Sequence, residues 1–138
     1  MILLNLPEGI ETSRLILQRL KYEDAEEIFY TYASKEEATT FVSWPTHQSV
    51  TDTREFLKYA HAAWEKDTDF SYSIRLKDSG KMIGSIGILH DDGKVQFGYI
   101  YGFSLTGCMG LYFIINYILL PQAINNWSSE TNIKRQIF

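Results

Sequence analysis

The pattern of apolar and polar residues predicts strands near the start of the chain and again from residue 70. In residues 12–20 (TSRLILQRL), Leu15 and Leu17 fall on one face of an extended segment. Residues 70–76 (FSYSIRL) alternate strictly, with an apolar side chain at every second position, which predicts a strand buried on one face only. The turns KDSG and DDGK then lead to two more strands, KMIGSIGILH and VQFGYIYG, as in an antiparallel meander.

Helical periodicity separates the first strand from the other three. In residues 22–33 (YEDAEEIFYTYA), apolar side chains recur at every third or fourth position, and acidic residues stand where the first turn of a helix would be. The following residues 41–50 (FVSWPTHQSV) break this pattern. We predict a loop there, because Pro45 disfavours the helical conformation at Trp44.

A second helix is predicted from about residue 52. Asp52 and Glu55 resemble a capping box in which Asp replaces Ser or Thr. The residues that would face the core recur at helical spacing: Phe56, Ala60, Ala63 and Trp64. The order strand, helix, helix and then three strands predicts an α+β (mixed α/β) fold, with an antiparallel-rich central sheet flanked by helices.

Composition and charge narrow the classes of function. A length of 138 residues indicates one domain, residues 1–138. The net charge is −4 and no segment concentrates Lys and Arg, which argues against a nucleic-acid interface. Cys108 is the single cysteine, so an internal disulfide and a cysteine-based zinc site are ruled out, and we expect a cytoplasmic protein without a metal. The N-terminal residues lack the basic segment of a signal peptide.

Four motifs, in order over residues 11–102, resemble one enzyme family. They are ETSRLILQRL, SWPTHQSVTDTREFL, GKMIGSIGILH and FGYIYG. Each is similar to a segment of the RimJ/RimL-like branch of the GNAT superfamily, the acyl-CoA N-acyltransferases. Each motif alone is weak, but four motifs in the right order and spacing are fairly specific. The resemblance is weak over residues 103–138.

This resemblance implies that an acetyl group passes from acetyl-CoA to a primary amine, on a protein N-terminus or a small molecule. In the family, the strand that corresponds to Tyr99, Ile100 and Tyr101 holds the thioester and the pantetheine through its backbone. The amine must be neutral before it attacks, and the oxyanion needs hydrogen-bond donors. Acetyl-CoA, as a substrate, and an amine acceptor are therefore the expected partners.

The family's pyrophosphate loop, Arg/Gln-x-x-Gly-x-Gly/Ala, should follow that strand. Gly107 and Gly110 stand in this region and can supply a backbone cradle for an anion. The Arg or Gln is missing. If Gly107 is aligned with the middle glycine of the motif, Ser104 stands at the Arg/Gln position; if Gly110 is aligned there, Gly107 does. Asn132 matches a further cofactor-binding position. The family has more strands beyond Phe138, so we expect a truncated domain that lacks the last strands.

Residues 95–129 carry no formal charge. A membrane span is one interpretation, but residues 103–120 include polar side chains and lack flanking basic residues. We favour a buried helix over residues 111–120. A helix that is apolar on every face needs cover on both sides. We expect a second copy of the chain to supply it, in a homo-oligomer formed by strand exchange.

Individual candidates keep a structural alternative beside the functional one. Trp44 and His47 lie in the loop where this family often builds its acceptor wall, although a packing role fits Trp44 as well. His90 is a weak candidate for the catalytic base, and a solvated turn histidine is the alternative. Cys108 fits a small buried residue better than a nucleophile. No carboxylate stands out as the general base.

Two functions remain open from the sequence. One is the acetyl-CoA-dependent N-acetyltransferase. The other is a catalytically inactive, truncated GNAT-like protein that self-associates. The intact motifs up to residue 102 favour the first function, and the altered pyrophosphate loop favours the second.

Overall fold

A computed structural model describes residues 3–4, 6–40, 44–91 and 94–101 of the chain. They form one antiparallel sheet of five strands, which lie side by side in chain order. The predicted class, α+β with an antiparallel-rich central sheet, is confirmed. The strands are β1 (Gly9–Glu11), β2 (Leu15–Arg19), β3 (Asp69–Leu76), β4 (Met82–Asp91) and β5 (Lys94–Tyr101).

The first predicted helix is present, but its pitch changes along its length. A 3-10 turn at Tyr22–Asp24 leads into α1 (Ala25–Ile28), and a π-helical turn at Phe29–Ala33 continues it. The predicted apolar stripe is buried at Ala25, Ile28, Tyr32 and Ala33. A short helix that the sequence pattern did not predict follows, α2 (Glu36–Thr39). Four residues are too few to establish a helical period.

Helix α3 (Val50–Glu65) begins two residues before the predicted start. Its N-cap is Ser49, so the predicted capping box of Asp52 and Glu55 is wrong. Asp52 Oδ2 instead accepts a hydrogen bond from the backbone N–H of Gln48 at 2.9 Å. This bond ties the preceding loop to the first turn of α3. Of the predicted inner face, Ala60 and Ala63 are buried, and Phe56 and Trp64 are half-buried.

The sheet is packed on both faces. Side chains from β2 to β5 and the N-terminal segment form a core on one face; its fully buried members include Leu4, Leu17, Tyr72, Ile74, Ile86 and Ile88. Helix α3 lies over the other face of β3 and α1 contacts the neighbouring β4, so the prediction that β3 is buried on one face only is wrong. Ser71 is 8% exposed and Ser73 is 0% exposed. Their small side chains allow the helices to approach the strand closely.

Arg75 fixes the helical layer to this second face. Its guanidinium donates to both carboxylate oxygens of Glu27, at 2.7 and 2.9 Å, and to Asp24 at 3.3 Å. The hydrogen bond to Arg75 is the main reason why the pKa of Glu27 is lowered. The start of α1 is thereby joined to the end of β3.

Within the described ranges, no helix has the length and apolar character needed to span a bilayer. The same residues contain no group of three or more His, Cys, Asp or Glu side chains arranged to hold a metal ion. Residues 102–138 lie outside the described ranges. The truncation, the buried helix and the strand exchange therefore stay predictions.

Candidate functional site

Trp44 and His47, the predicted acceptor wall, lie side by side with their ring centres 4.8 Å apart. The backbone N–H of His47 donates to the Ala33 carbonyl at 2.8 Å, and His47 Nδ1 lies 2.8 Å from Thr53 Oγ1. These contacts anchor the loop to the end of the π-helical turn and to α3. Burial lowers the pKa of His47, with a smaller opposing effect from Asp52, so the ring is mainly neutral at pH 7.

Helix α3 adds two more aromatic rings to this surface. The ring centre of Phe56 lies 5.8 Å from that of Trp44 and 6.4 Å from that of Tyr59. Trp44 and Phe56 pack against the core cluster that includes Ile100 of β5, whereas Tyr59 is 53% exposed. We call Trp44, His47, Phe56 and Tyr59 the aromatic wall.

Asp69 lies at the solvent-exposed end of the aromatic wall. The Tyr59 hydroxyl donates to Asp69 Oδ2 at 3.2 Å, and the Ser71 hydroxyl donates to Oδ1 at 3.3 Å. Burial raises the pKa of Asp69, and the two hydroxyls offset part of this rise. The sequence pattern did not predict a role for this carboxylate. Its position directly before the strictly alternating segment FSYSIRL, where a strand begins at the sheet's rim, was the available signal.

Small residues leave space beside Asp69. Ser71 of β3, Gly87 of β4 and Gly98 of β5 are in register and form one row across the sheet, which we call the trough. A Cβ at Gly87 would lie 3.7 Å from Asp69 Oδ1 and 4.0 Å from the Gly98 carbonyl oxygen. A Cβ at Gly98 would have no atom of the described residues within 4 Å. Glycines at these positions leave room for another group to approach the backbone.

Strand β5 carries the residues that were predicted to bind the thioester. Tyr99, Ile100 and Tyr101 directly follow Gly98 and pair with β4, and no other strand of the described residues pairs with β5. The trough therefore includes a residue of the predicted cofactor strand, and Trp44 and Phe56 of the wall pack against the core cluster that contains Ile100 of the same strand. The other predicted cofactor-binding residues, Gly107, Gly110 and Asn132, lie outside the described ranges and stay predictions, as does the interpretation of Cys108.

His90 is not brought to the trough. Its ring is buried, with the residue 8% exposed, and Nδ1 lies 2.9 Å from the carbonyl oxygen and 3.0 Å from Oδ2 of Asp67. The interpretation as a solvated turn histidine is therefore wrong. His90 pairs with Val95, on the face of the sheet opposite to the trough. Val95 precedes Tyr99 by four residues, which is about 13 Å along a strand.

An open groove of about 800 Å³ lies elsewhere, between β1, β2, the 3-10 turn and α3. Its lining includes Arg19, Lys21, Lys58 and His61. Strand β2 is separated from β5 by two strands, or roughly 14 Å across the sheet. We place the candidate site at the trough rather than in this groove, because the trough includes Gly98 of β5.

Comparison with protein families identifies the chain. Residues 14–112 match the acetyltransferase (GNAT) domain. The match covers more than half of the chain and runs from β2 through the aromatic wall and the trough to β5. This chain belongs to the GNAT acetyltransferase family. The resemblance drawn from the four sequence motifs is thereby confirmed at the level of the family.

Solved structures of GNAT acetyltransferases share its fold. A GNAT-family acetyltransferase from Bacillus anthracis aligns with a TM-score of 0.61 at 15% identity, over 78% of this chain and 66% of its own. A putative ribosomal-protein-serine acetyltransferase from Vibrio cholerae aligns with a TM-score of 0.61 at 15% identity, over 93% and 70%. The microcin C7 self-immunity acetyltransferase MccE, in complex with acetyl-CoA and AMP, aligns with a TM-score of 0.63 at 20% identity, over 96% and 71%. This chain thus spans about two thirds of the length of these structures.

Proposed function

We propose that the chain transfers an acetyl group from acetyl-CoA to a primary amine, on a small molecule or a protein N-terminus. The observation that carries this proposal is that the trough reaches β5 at Gly98 and that Trp44 and Phe56 pack against the core cluster containing Ile100 of β5, in a chain of the GNAT family. The structure of MccE with acetyl-CoA and the name of the Vibrio cholerae neighbour support an acetyl donor and a protein-type acceptor.

In this proposal the acetyl donor and the acceptor are bound by different groups of residues around β5. The backbone of Tyr99, Ile100 and Tyr101 holds the thioester and the pantetheine. Trp44 and His47 receive the acceptor on the face of the sheet that carries the trough. Gly107 and Gly110, with Asn132, contribute to the binding of CoA, and the altered loop leads us to expect weaker affinity than an intact Arg/Gln anchor would give.

A calorimetric titration tests the donor first. Acetyl-CoA and, separately, CoA are titrated into the purified protein, and released thiol is then measured with primary amines as acceptors. A dissociation constant in the micromolar range, about −8 kcal/mol of binding free energy, supports the proposal. No heat of binding at millimolar acetyl-CoA would overturn it.

The altered loop supports a second candidate, an inactive GNAT-like protein that self-associates. Binding of acetyl-CoA without release of thiol toward any amine would favour this function. We further propose a cytoplasmic homo-oligomer, because a single cysteine suits a reducing compartment and the apolar helix predicted from the sequence over residues 111–120 would need cover. Light scattering at micromolar concentration tests the assembly, and a monomeric mass would count against it.

A further inference from the structure

Asp69 places a carboxylate at the trough, next to the strand that is proposed to hold the thioester. Its Oδ1 and the carbonyl oxygen of Gly98 both lie within 4.0 Å of the point that a Cβ of Gly87 would occupy. Gly98 directly precedes Tyr99 in β5. A group that binds over Gly87 and Gly98 therefore contacts the carboxylate and approaches the acyl-carrying strand at the same time.

The hydrogen-bond partners of Asp69 are neutral. They are the hydroxyls of Tyr59, from α3, and Ser71, from β3. From β4 and β5, the residues that share its row across the sheet are Leu89 and Gln96, which are uncharged. Among the described residues, the half-buried carboxylate of Asp69 has two hydroxyl partners and no ion pair, and a negative charge in this setting attracts a positively charged ligand.

The aromatic wall suits the same kind of ligand. Tyr59 contacts Asp69 directly, and the rings of Phe56 and Trp44 continue the surface away from it. Aromatic faces attract ammonium groups, with a strength that grows as water is excluded. A primary alkylamine is an ammonium ion at neutral pH. A carboxylate beside aromatic faces therefore selects an amine over a neutral alcohol of the same shape.

We propose that Asp69 binds the acceptor as a primary ammonium ion and takes the proton that its nitrogen loses before acyl transfer. This inference rests on the proposed acetyl transfer, and it adds to that reaction a general base and a cationic class of acceptor. Burial raises the pKa of Asp69, which makes its carboxylate a better proton acceptor than an exposed aspartate.

The step balances in protons and electron pairs. Asp69 takes one proton from the ammonium ion, and the nitrogen lone pair forms a C–N bond to the thioester carbonyl carbon. When the tetrahedral adduct collapses, the C–S bond breaks and sulfur leaves as a thiolate with the bonding pair. The nitrogen's second proton passes through solvent to the thiolate. The carboxylic acid of Asp69 then returns its proton to solvent.

The test compares Asp69→Asn with Asp78→Asn, which removes the same charge from an exposed turn. The acceptor used as a probe is phenethylamine, an aromatic primary amine. Thiol release is followed from about pH 6 to about pH 10, a range that reaches the pKa of a primary alkylamine. Binding of acetyl-CoA is measured by calorimetry and folding by thermal melting, for the wild type and both variants.

We expect Asp69→Asn to lower kcat/KM at pH 7 by about 10²- to 10⁴-fold, with binding of acetyl-CoA unchanged. The deficit should shrink as the pH approaches 10, roughly the pKa of the amine, because the acceptor then arrives without its extra proton. Asp78→Asn should behave as the wild type. A purely structural role of Asp69 would not produce this dependence on pH.

Every other outcome overturns either the inference alone or the proposed function together with it. Activity of Asp69→Asn within about twofold of the wild type, or an equal deficit at every pH, overturns the inference alone. A wild type that binds acetyl-CoA but releases no thiol with phenethylamine also overturns it, because the cationic acceptor is then wrong. A wild type that fails to bind acetyl-CoA overturns the proposed function, and the inference with it.

Discussion

The hydroxyl of Tyr72 donates a 2.6 Å hydrogen bond to the carbonyl oxygen of Pro7, and so joins the middle of β3 to the N-terminal segment. Tyr32 is equally buried, at 1% exposed against 0% for Tyr72, but its hydroxyl has no hydrogen-bond partner among the described residues. Burial raises the pKa of Tyr32, and the nearby Ser85 side chain opposes the rise without reaching normal hydrogen-bond geometry. The two phenols therefore contribute to stability in opposite ways.

Replacing each tyrosine by phenylalanine should separate these contributions. Tyr72→Phe removes one hydroxyl and leaves the Pro7 carbonyl without its donor, so it should lower the free energy of unfolding by about 1–2 kcal/mol. Tyr32→Phe removes a buried donor that has no hydrogen-bond partner in the described part of the chain, so it should leave stability unchanged or raise it by about 1 kcal/mol. Urea unfolding of both variants checks the pair. An equal loss in both would show that the Tyr32 hydroxyl is bonded in solution.

The free energy of unfolding should also depend on the ionisation of the half-buried carboxyl of Asp69. Its pKa is raised in the folded state, so the folded protein binds the proton more tightly than the unfolded chain. The stabilisation that the protonated carboxyl of Asp69 contributes is complete below the unfolded pKa of about 3.9. It is lost as the pH rises through the folded pKa. At pH 7 the ionised carboxylate is therefore a cost to folding.

Asp69→Asn should consequently be more stable than the wild type at pH 7, although it is expected to be the less active protein. The gain in stability should narrow as the pH falls through the raised pKa of the folded state, because the wild-type carboxyl then takes up its proton. Urea midpoints at four pH values measure this, with Asp78→Asn as the control for the change in net charge. A variant that is less stable than the wild type at pH 7 would mean that the bonds from Tyr59 and Ser71 outweigh the burial of the charge.

His47 should make stability fall on the acid side of neutrality. Burial lowers its pKa, so the unfolded chain takes up a proton at a higher pH than the folded protein does. The stabilisation that the neutral ring of His47 contributes is present above the unfolded pKa of about 6.5. It is lost as the pH falls through the folded pKa. His47→Gln should therefore be less stable than the wild type at pH 8, and this difference should narrow by pH 5. A difference that is constant with pH would show that His47 does not titrate on folding.

The strands could be predicted because their signal is local. Strict alternation in FSYSIRL and the two short turns fix β3, β4 and β5 without knowledge of the rest of the chain. Strand β1 and helix α2 were missed, because three or four residues carry no measurable period. The second buried face of β3 was missed for a different reason. The sequence pattern predicts Ser71 and Ser73 on a solvent-facing side of the strand, but α3 packs on β3 and both serines are buried.

The candidate site likewise has one part that could be predicted from the sequence and one part that could not. Trp44 and His47 are three residues apart, so one loop brings their rings together and the sequence was sufficient to group them. Asp69 gains its environment from Tyr59, ten residues earlier, and from the register that sets Gly87 and Gly98 beside it. A strand register and a helix position are tertiary properties. Burial of the carboxylate could therefore not be read from its neighbours in sequence.

Gly98 provides a test of the trough that leaves Asp69 untouched. Among the described residues nothing would lie within 4 Å of a Cβ at Gly98, so Gly98→Val should fold normally, and its stability should equal or exceed that of the wild type, since valine suits a strand. The isopropyl group would nevertheless occupy the space beside Gly87. We expect acetyl transfer to phenethylamine to fall at least tenfold, about 1.4 kcal/mol in the barrier, mainly through KM for the amine.

The matched control is Lys94→Val, which places the same side chain on the same strand and face, four residues or about 13 Å away. It should share any gain in stability but keep the wild-type KM for the amine. Steady-state kinetics and thermal melting of both variants distinguish a filled trough from a general effect of valine in β5. If Gly98→Val and Lys94→Val show the same kinetics, the acceptor does not pass over Gly98, and the acceptor site would have to lie away from the trough.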